Sequence, residues 1–138
     1  MSAIALLNIS VPVEAGMGVA IEGSESAWPD ATMPAVLPAF NSLTQQRYFI
    51  DVFNRGRTAF NFTITTRDPW VMVSNSSGTV HKQLRVWVGI QWDSAPSGVT
   101  TSNITLAGAG SVVTVEVNSL NPREVNRSSL NGFAEGNR

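Results

Sequence analysis

Acidic residues beside aromatic ones are the first places in this sequence where chemistry could occur. Asp51 lies between Phe49 and Phe53 in the segment RYFIDVFNRGRTAFNF. Enzymes that cleave glycosidic bonds use two carboxylates at a set separation across the bond. This segment offers no second acid, so we expect a structural Asp51, on the outer face of a strand or near a turn arginine such as Arg55 or Arg57.

A second acidic and aromatic cluster lies in IEGSESAWPD, where Glu22, Glu25 and Asp30 surround Trp28. An aromatic ring can cover the apolar face of a sugar while carboxylates accept hydrogen bonds from its hydroxyls. Glu22, Glu25 and Trp28 are therefore candidate sugar or docking contacts. The alternative is a solvated loop with Trp28 packed onto the domain.

The composition excludes several function classes. The 138 residues include no cysteine, so a disulfide and a thiolate metal site are impossible. His81 is the single histidine. No carboxylate or hydroxyl is spaced around His81 as in a catalytic site, so we expect His81 to lie in a solvated turn. We expect no catalytic, cofactor-binding or metal-binding residue. The net charge of −1 gives no reason to expect nucleic acid or an anionic membrane as partner.

Five Asn-x-Ser/Thr sequons occur, a mild excess over chance, and they indicate a secreted glycoprotein. The sequon asparagines are Asn8, Asn61, Asn75, Asn103 and Asn126.

Alternation of apolar and polar residues dominates the chain, and helical periodicity is nearly absent. The main predicted strands are 47–53, 58–66, 83–92, 103–106 and 113–117, with shorter candidates at 7–13, 17–22 and 70–73. Frequent turn residues between short strands favour an all-β, immunoglobulin-like antiparallel β-sandwich of about seven strands.

Three tryptophans fall on predicted strands. Trp70 and Trp92 are expected in the core. Trp87 lies opposite the main apolar row of its strand, so it is the best candidate for an exposed ring. Such a ring could stack on a sugar or pack against another domain, and burial under a loop is the alternative.

The connections divide the chain. We expect residues 1–15 to be an N-terminal extension or edge strand, 16–122 the β-sandwich, and 123–138 a linker and the truncated start of a following domain. Within the sandwich, 25–44 is expected to be a long extended crossing. Asn54-Arg55-Gly56, Ser76-Ser77-Gly78 and Gly108-Ala109-Gly110 are predicted turns, the first and last of them hairpins.

Three segments together resemble a known family. They are VAIEGSESAWP, then LPAFNSLTQQRYFIDVFNRGRTAFNFTITTRDPWVMVSNSSGTV, then QLRVWVGIQWDSAPSGVTTSNITLAG. In this order they are similar to the all-β, C-terminal-side domain of glycoside hydrolase family 115, the xylan α-glucuronidases. The resemblance covers roughly residues 16–122.

In that family the catalytic apparatus lies in preceding domains, so the resemblance assigns no catalytic residue here. It implies a noncatalytic domain of a secreted hydrolase acting on glucuronoxylan, whose partners are other domains of the parent enzyme or a second subunit. The alternative is a carbohydrate-binding module for xylan or a related plant polysaccharide, using Trp28 or Trp87 with nearby acids.

Overall fold

A computed structural model describes residues 14–122, which form eleven strands in two sheets. The predicted strand at 7–13, the tail 123–138, Asn8 and Asn126 lie outside the described residues. The strands are β1 (Met17–Ile21), β2 (Ala27–Trp28), β3 (Ala35–Val36), β4 (Phe40–Asn41), β5 (Tyr48–Asn54), β6 (Phe60–Thr66), β7 (Val71–Val73), β8 (Ser77–Val80), β9 (Gln83–Ile90), β10 (Gly98–Gly108) and β11 (Ser111–Asn121).

The two sheets pack as a sandwich, as the alternation predicted. The first sheet has the strand order β2-β1-β5-β9-β7, and all of its pairs are antiparallel. The second has the order β3-β11-β10-β6-β8, with β4 also paired to β11. The sandwich was predicted with about seven strands and has eleven among the described residues, of which β2, β3 and β4 have only two residues each. The one departure from an antiparallel arrangement is that β3 and β4 run parallel to β11.

The core lies between the sheets and is built from alternate residues of each long strand. Ile50 and Val52 point inward from β5, while Phe62 and Ile64 do so from β6, and all four are buried. Trp70 is buried as predicted, and Trp92 is half-buried against the same core. Because each long strand has one apolar face, each sheet also has an outer face with mostly polar residues.

The β10–β11 hairpin confirms the predicted turn at Gly108-Ala109-Gly110. Gly108 pairs with Ser111, and both intervening residues have positive φ, 48° at Ala109 and 76° at Gly110. Two consecutive left-handed residues make the tight turn whose twist matches that of the flanking strands.

The connection after β5 was predicted wrongly. Asn54-Arg55-Gly56 does not close a hairpin, because β5 belongs to the first sheet and β6 to the second. Both strands bury an apolar face in the same core, so the chain arches from one sheet to the other. The Asn54 side chain stabilises the arch: its amide donates to the carbonyls of Thr58 and His81, at 2.7 and 3.2 Å.

Two other expected connections contain strands. Ser77 and Gly78 lie inside β8 rather than in a turn, and a Cβ on Gly78 would come 2.9 Å from the ring of Phe62 on β6. The expected extended crossing at 25–44 contains β2, β3 and β4, each of two residues. A two-residue strand has no period that a sequence could show.

Candidate functional site

The outer face of the first sheet carries the side chains with the strongest surface chemistry. Register pairs Phe49 of β5 with Trp87 of β9, and Asp51 with Arg85. Both pairs point away from the core because they alternate with buried Ile50, Val52, Val86 and Val88. Aromatic and charged side chains therefore meet on one exposed face.

Asp51 forms an ion pair across this face. Arg85 donates through Nε to Asp51 Oδ1 at 2.8 Å and through Nη2 to Oδ2 at 3.0 Å. The hydrogen bond to Asp51 raises the pKa of the Arg85 guanidinium. The same guanidinium lies over the Phe49 ring, 3.8 Å from its centroid. Asp51 is thus structural, as expected.

The partner of Asp51 is not a turn arginine. Arg55, one of the two expected partners, pairs with Asp30 instead. The register of β5 and β9 places Arg85 directly opposite Asp51, 34 residues along the chain. No periodicity within one strand could have shown this pairing, because it depends on how two distant strands align.

A shallow groove of about 300 Å³ lies beside this ion pair, at the end of the face nearest the start of β5. Trp87 and Met72 form its apolar part, and their side chains are 40% and 50% exposed. Gly89 pairs with Met72 and forms part of the floor of the groove. The groove is also lined by Gln45, Gln46, Arg47, Val73, Ser74, Ile90 and Trp92.

Arg47 is the charged residue of the groove. Its side chain crosses Gly89, since a Cβ on that glycine would lie 3.2 Å from Arg47 Cγ. Arg55, Arg67 and Arg85 each form an ion pair. Arg47 and Arg57 form none among residues 14–122, and both are exposed, but Arg57 lies outside the groove.

Two of the polar groove residues already have hydrogen-bond partners. Tyr48 donates its hydroxyl to Gln46 Oε1 at 2.7 Å. Ser74 Oγ accepts from the backbone N–H of Trp87 at 2.9 Å and donates to Asn75 Oδ1 at 2.8 Å. These hydrogen bonds hold Gln46 and Ser74 in place at the groove. Arg47 is then the charged hydrogen-bond donor of the groove that has no ion-pair partner among residues 14–122.

The candidate cluster around Trp28 does not form a site. Trp28 is 6% exposed, packs in the core, and donates its indole N–H to the carbonyl of Met33 at 2.7 Å. Its ring is therefore not available for stacking on a sugar, which corrects its place among the candidate contacts. Glu22 is half-buried and accepts from the backbone N–H of Phe49 at 3.1 Å, while Glu25 is exposed.

Trp87 is exposed, as predicted, but no second ring lies parallel to it. The Phe49 ring stands edge-on to Trp87, with centroids 6.0 Å apart and an interplanar angle of 80°. A flat sugar-stacking platform of two coplanar rings is thus absent from the described part of this face.

The described sequons lie mainly away from this face. Asn61 of β6 and Asn103 of β10 point to the outer side of the second sheet, exposed and half-buried respectively. Asn75 is exposed on the crossover from β7 to β8, next to Ser74 of the groove.

A separate polar cluster ties β10 to the loop before β7. Buried Ser102 donates to Asp68 Oδ2 at 2.6 Å, and Arg67 Nε donates to the same oxygen at 3.2 Å. The Ser102 hydrogen bond, helped by Arg67, lowers the pKa of Asp68 below its ordinary value. The two hydrogen bonds hold the Asp68 carboxylate between β10 and the loop before β7.

Residues 14–122 hold no group of three or more histidine, cysteine, aspartate or glutamate side chains that could bind a metal ion. Within the same residues, no helix is long and apolar enough to cross a membrane.

The groove residues Arg47, Met72 and Gly89 were not singled out from the sequence. Met72 lies between Val71 and Val73, so alternation along β7 could have predicted that its side chain points outward. A strand of three residues gives only a weak alternation signal, however. Arg47 precedes β5 and acquires its position only when β9 places Gly89 beside it.

Comparisons with known proteins show the fold. No family model matches the chain, and no curated protein matches it. A chaperone–tip adhesion subunit complex of Csu pili from Acinetobacter baumannii aligns at 9% identity and TM-score 0.51, covering 65% of this chain and 55% of that one. The PapD-like domain 7 of human CEP192 aligns at 8% identity and TM-score 0.52, covering 80% and 86%.

A GH5 xyloglucanase of Bacteroides ovatus aligns at 16% identity and TM-score 0.49, covering 75% of this chain and 19% of the enzyme. The chain therefore spans less than two thirds of the length of this enzyme and of the pilus protein. The likenesses to the pilus complex and the CEP192 domain show an immunoglobulin-like, PapD-like β-sandwich.

Proposed function

We propose that this chain is a noncatalytic β-sandwich domain of a secreted xylan α-glucuronidase, which packs against the catalytic domains or a second subunit. The observation that carries the proposal is the outer face of the first sheet. It exposes one large ring and a neighbouring methionine, Trp87 and Met72, around a groove without paired carboxylates.

The residues that carry the sequence resemblance support a framework role. Asp51 of RYFIDVFNRG and Arg85 of RVWVGIQW pair with each other and join β5 to β9. Asn54 stabilises the arch between the sheets, and Trp70 of PWVMVS fills the core. Residues that carry the resemblance therefore stabilise the fold of the domain, which is what a scaffold requires.

The exposed apolar side chains support docking. Tryptophan and methionine are enriched in protein interfaces, and a tryptophan often supplies a large share of the binding energy. Asn61 and Asn103, the sequons on the outer side of the second sheet, would carry any glycans away from Trp87. Asn75 is the described sequon beside the groove, so docking there requires that Asn75 carry no glycan.

Carbohydrate binding is the second candidate function, and the groove itself favours it. Trp87 could stack on one sugar ring while Gln45 and Arg47 donate hydrogen bonds to its hydroxyls. The edge-on Phe49 ring limits such a site to a single stacking surface.

Isothermal titration of the 138-residue chain distinguishes the two functions. One titration uses the catalytic region of the parent hydrolase, and the other uses glucuronoxylan oligosaccharides at millimolar concentration. We expect saturable heat with the catalytic region and none with the sugar. Saturable sugar binding without association with the catalytic region would refute the scaffold function in favour of the binding module.

A further inference from the structure

We propose that the Trp87 groove docks an extended protein segment that presents a carboxylate next to an apolar side chain. The inference rests on the proposed function, because it specifies the chemistry of the partner at the same face. The Trp87 groove is defined by Trp87, Met72, Gly89 and Arg47, with Gln45 and Ser74 at its rim.

Charge complementarity indicates the carboxylate. Arg55, Arg85 and Arg67 are engaged with Asp30, Asp51 and Asp68, whereas Arg47 and Arg57 have no ion-pair partner among residues 14–122, and of these two only Arg47 lines the groove. A guanidinium binds a carboxylate through two parallel hydrogen bonds, which fixes the orientation of the bound group. An acidic side chain is therefore the complement of this end of the groove.

The apolar half of the groove indicates a protein side chain rather than a sugar. Met72 is a flexible thioether that packs well on irregular apolar surfaces. Its neighbour Trp87 offers a ring that Phe49 meets only edge-on and that lies 5.9 Å from the Arg85 guanidinium carbon, so part of the ring remains exposed. The Gln46 and Ser74 oxygens, which could have received sugar hydroxyls, already accept hydrogen bonds within the domain.

The position of β7 indicates that the segment is extended. Among residues 14–122, β7 forms one edge of the first sheet and has a strand neighbour, β9, on one side only. Trp70 accepts from Gln91, and Ser74 donates to Trp87, so alternate residues of this segment bond to β9. The alternation turns the backbone groups of Val73 toward this edge, where a segment that crosses the groove from Arg47 past Met72 can continue as an added strand.

The test measures association of the full chain with the catalytic region of the parent hydrolase by titration calorimetry. We expect Trp87→Ala to weaken binding by about thirtyfold or more, as for a central interface tryptophan. Arg47→Glu should weaken it by at least about tenfold, because a like charge then faces the partner's carboxylate.

Arg57→Glu is the matched control. It makes the same change of charge at an exposed arginine beyond the other end of β5, and it should leave the affinity within about twofold. Thermal unfolding of each variant establishes that the sandwich is intact. A lysine in place of the contacted partner carboxylate should restore the affinity of Arg47→Glu.

The outcomes separate this inference from the proposed function. If the catalytic region binds but Arg47→Glu and Arg57→Glu behave alike, the groove assignment is wrong while the scaffold function stands. If the catalytic region does not bind, the inference is wrong, and of the proposed function only packing against a second subunit is left. Saturable binding of glucuronoxylan oligosaccharides that Trp87→Ala abolishes would make the groove a sugar site and overturn the inference.

Discussion

The two tryptophans that the sequence offered as candidate contacts should differ sharply in what they contribute to stability. Trp28 is 6% exposed and Trp87 is 40% exposed. A buried aromatic side chain removes about 150–250 Å² from water, which at about 25 cal/mol per Å² corresponds to roughly 4–6 kcal/mol. Trp28→Ala should accordingly lower the free energy of unfolding by about 3–5 kcal/mol, the range for large aromatic residues in cores.

Trp87→Ala removes less. The ring lies on the outer face, 5.9 Å from the Arg85 guanidinium carbon, and meets Phe49 edge-on, a kind of pair that contributes about 0.5–1.5 kcal/mol. With partial loss of buried area, the total should be about 1–2 kcal/mol. Trp28→Phe is an intermediate case, because it keeps a ring but loses the hydrogen bond to the Met33 carbonyl, and should cost about 1–3 kcal/mol.

Urea unfolding followed by far-UV circular dichroism measures all three variants against the unmodified chain. A domain of this size has a total stability of about 5–15 kcal/mol, so even Trp28→Ala should leave a folded baseline to fit. Equal losses for Trp28→Ala and Trp87→Ala would refute the assignment of one ring to the core and the other to the surface.

Three further changes test particular parts of the fold. Ala109→Asn should raise the free energy of unfolding by about 0.5–1 kcal/mol, seen as a higher urea midpoint, because asparagine tolerates the left-handed conformation better than alanine. Ala107→Asn, on extended backbone, is the control and should give no such gain. Gly108→Ala should cost about 1–3 kcal/mol in the same assay, since its Cβ would lie 3.0 Å from a backbone carbonyl of β6. Ser102→Ala should raise the pKa of Asp68, because the serine hydroxyl lowers it. The stability that this carboxylate contributes above its ordinary pKa should therefore be lost at a higher pH on acidification than in the unmodified chain. An NMR titration of the Asp68 carboxyl checks this, and an unchanged pKa in the variant would contradict it.

The buried faces of the long strands were predictable from the sequence because they depend on local alternation alone. Ile50 and Val52, like Phe60 and Phe62, follow a period of two and are all buried. The Ala109-Gly110 turn was also predictable, since two residues separate two alternating segments.

Pairing between strands was not predictable in the same way. A turn signal such as Asn54-Arg55-Gly56 shows that the chain changes direction, but not whether the next strand joins the same sheet or the facing one. The Asp51–Arg85 pair depends on the register of β5 and β9, which is set when both strands bury their apolar faces together.

The Trp87 groove was predictable only in part, because it depends on local alternation and also on how distant strands pair. The exposure of Trp87 followed from alternation, but the groove also needs Met72 from β7 and Arg47 from the residue before β5. Trp28 shows the converse. Its acidic neighbours suggested a surface site, whereas pairing of β2 with β1 places its ring in the core.

Hydrogen–deuterium exchange of the chain, alone and with the catalytic region of the parent hydrolase, tests the central claim most directly. Docking through the outer face of the first sheet predicts slower amide exchange in β7 and in the residues just before β5, where the open edge and the groove lie. The second sheet, with Asn61 and Asn103 on its outer side, should exchange as in the free chain. Protection confined to the second sheet, or no change in either sheet, would contradict the account.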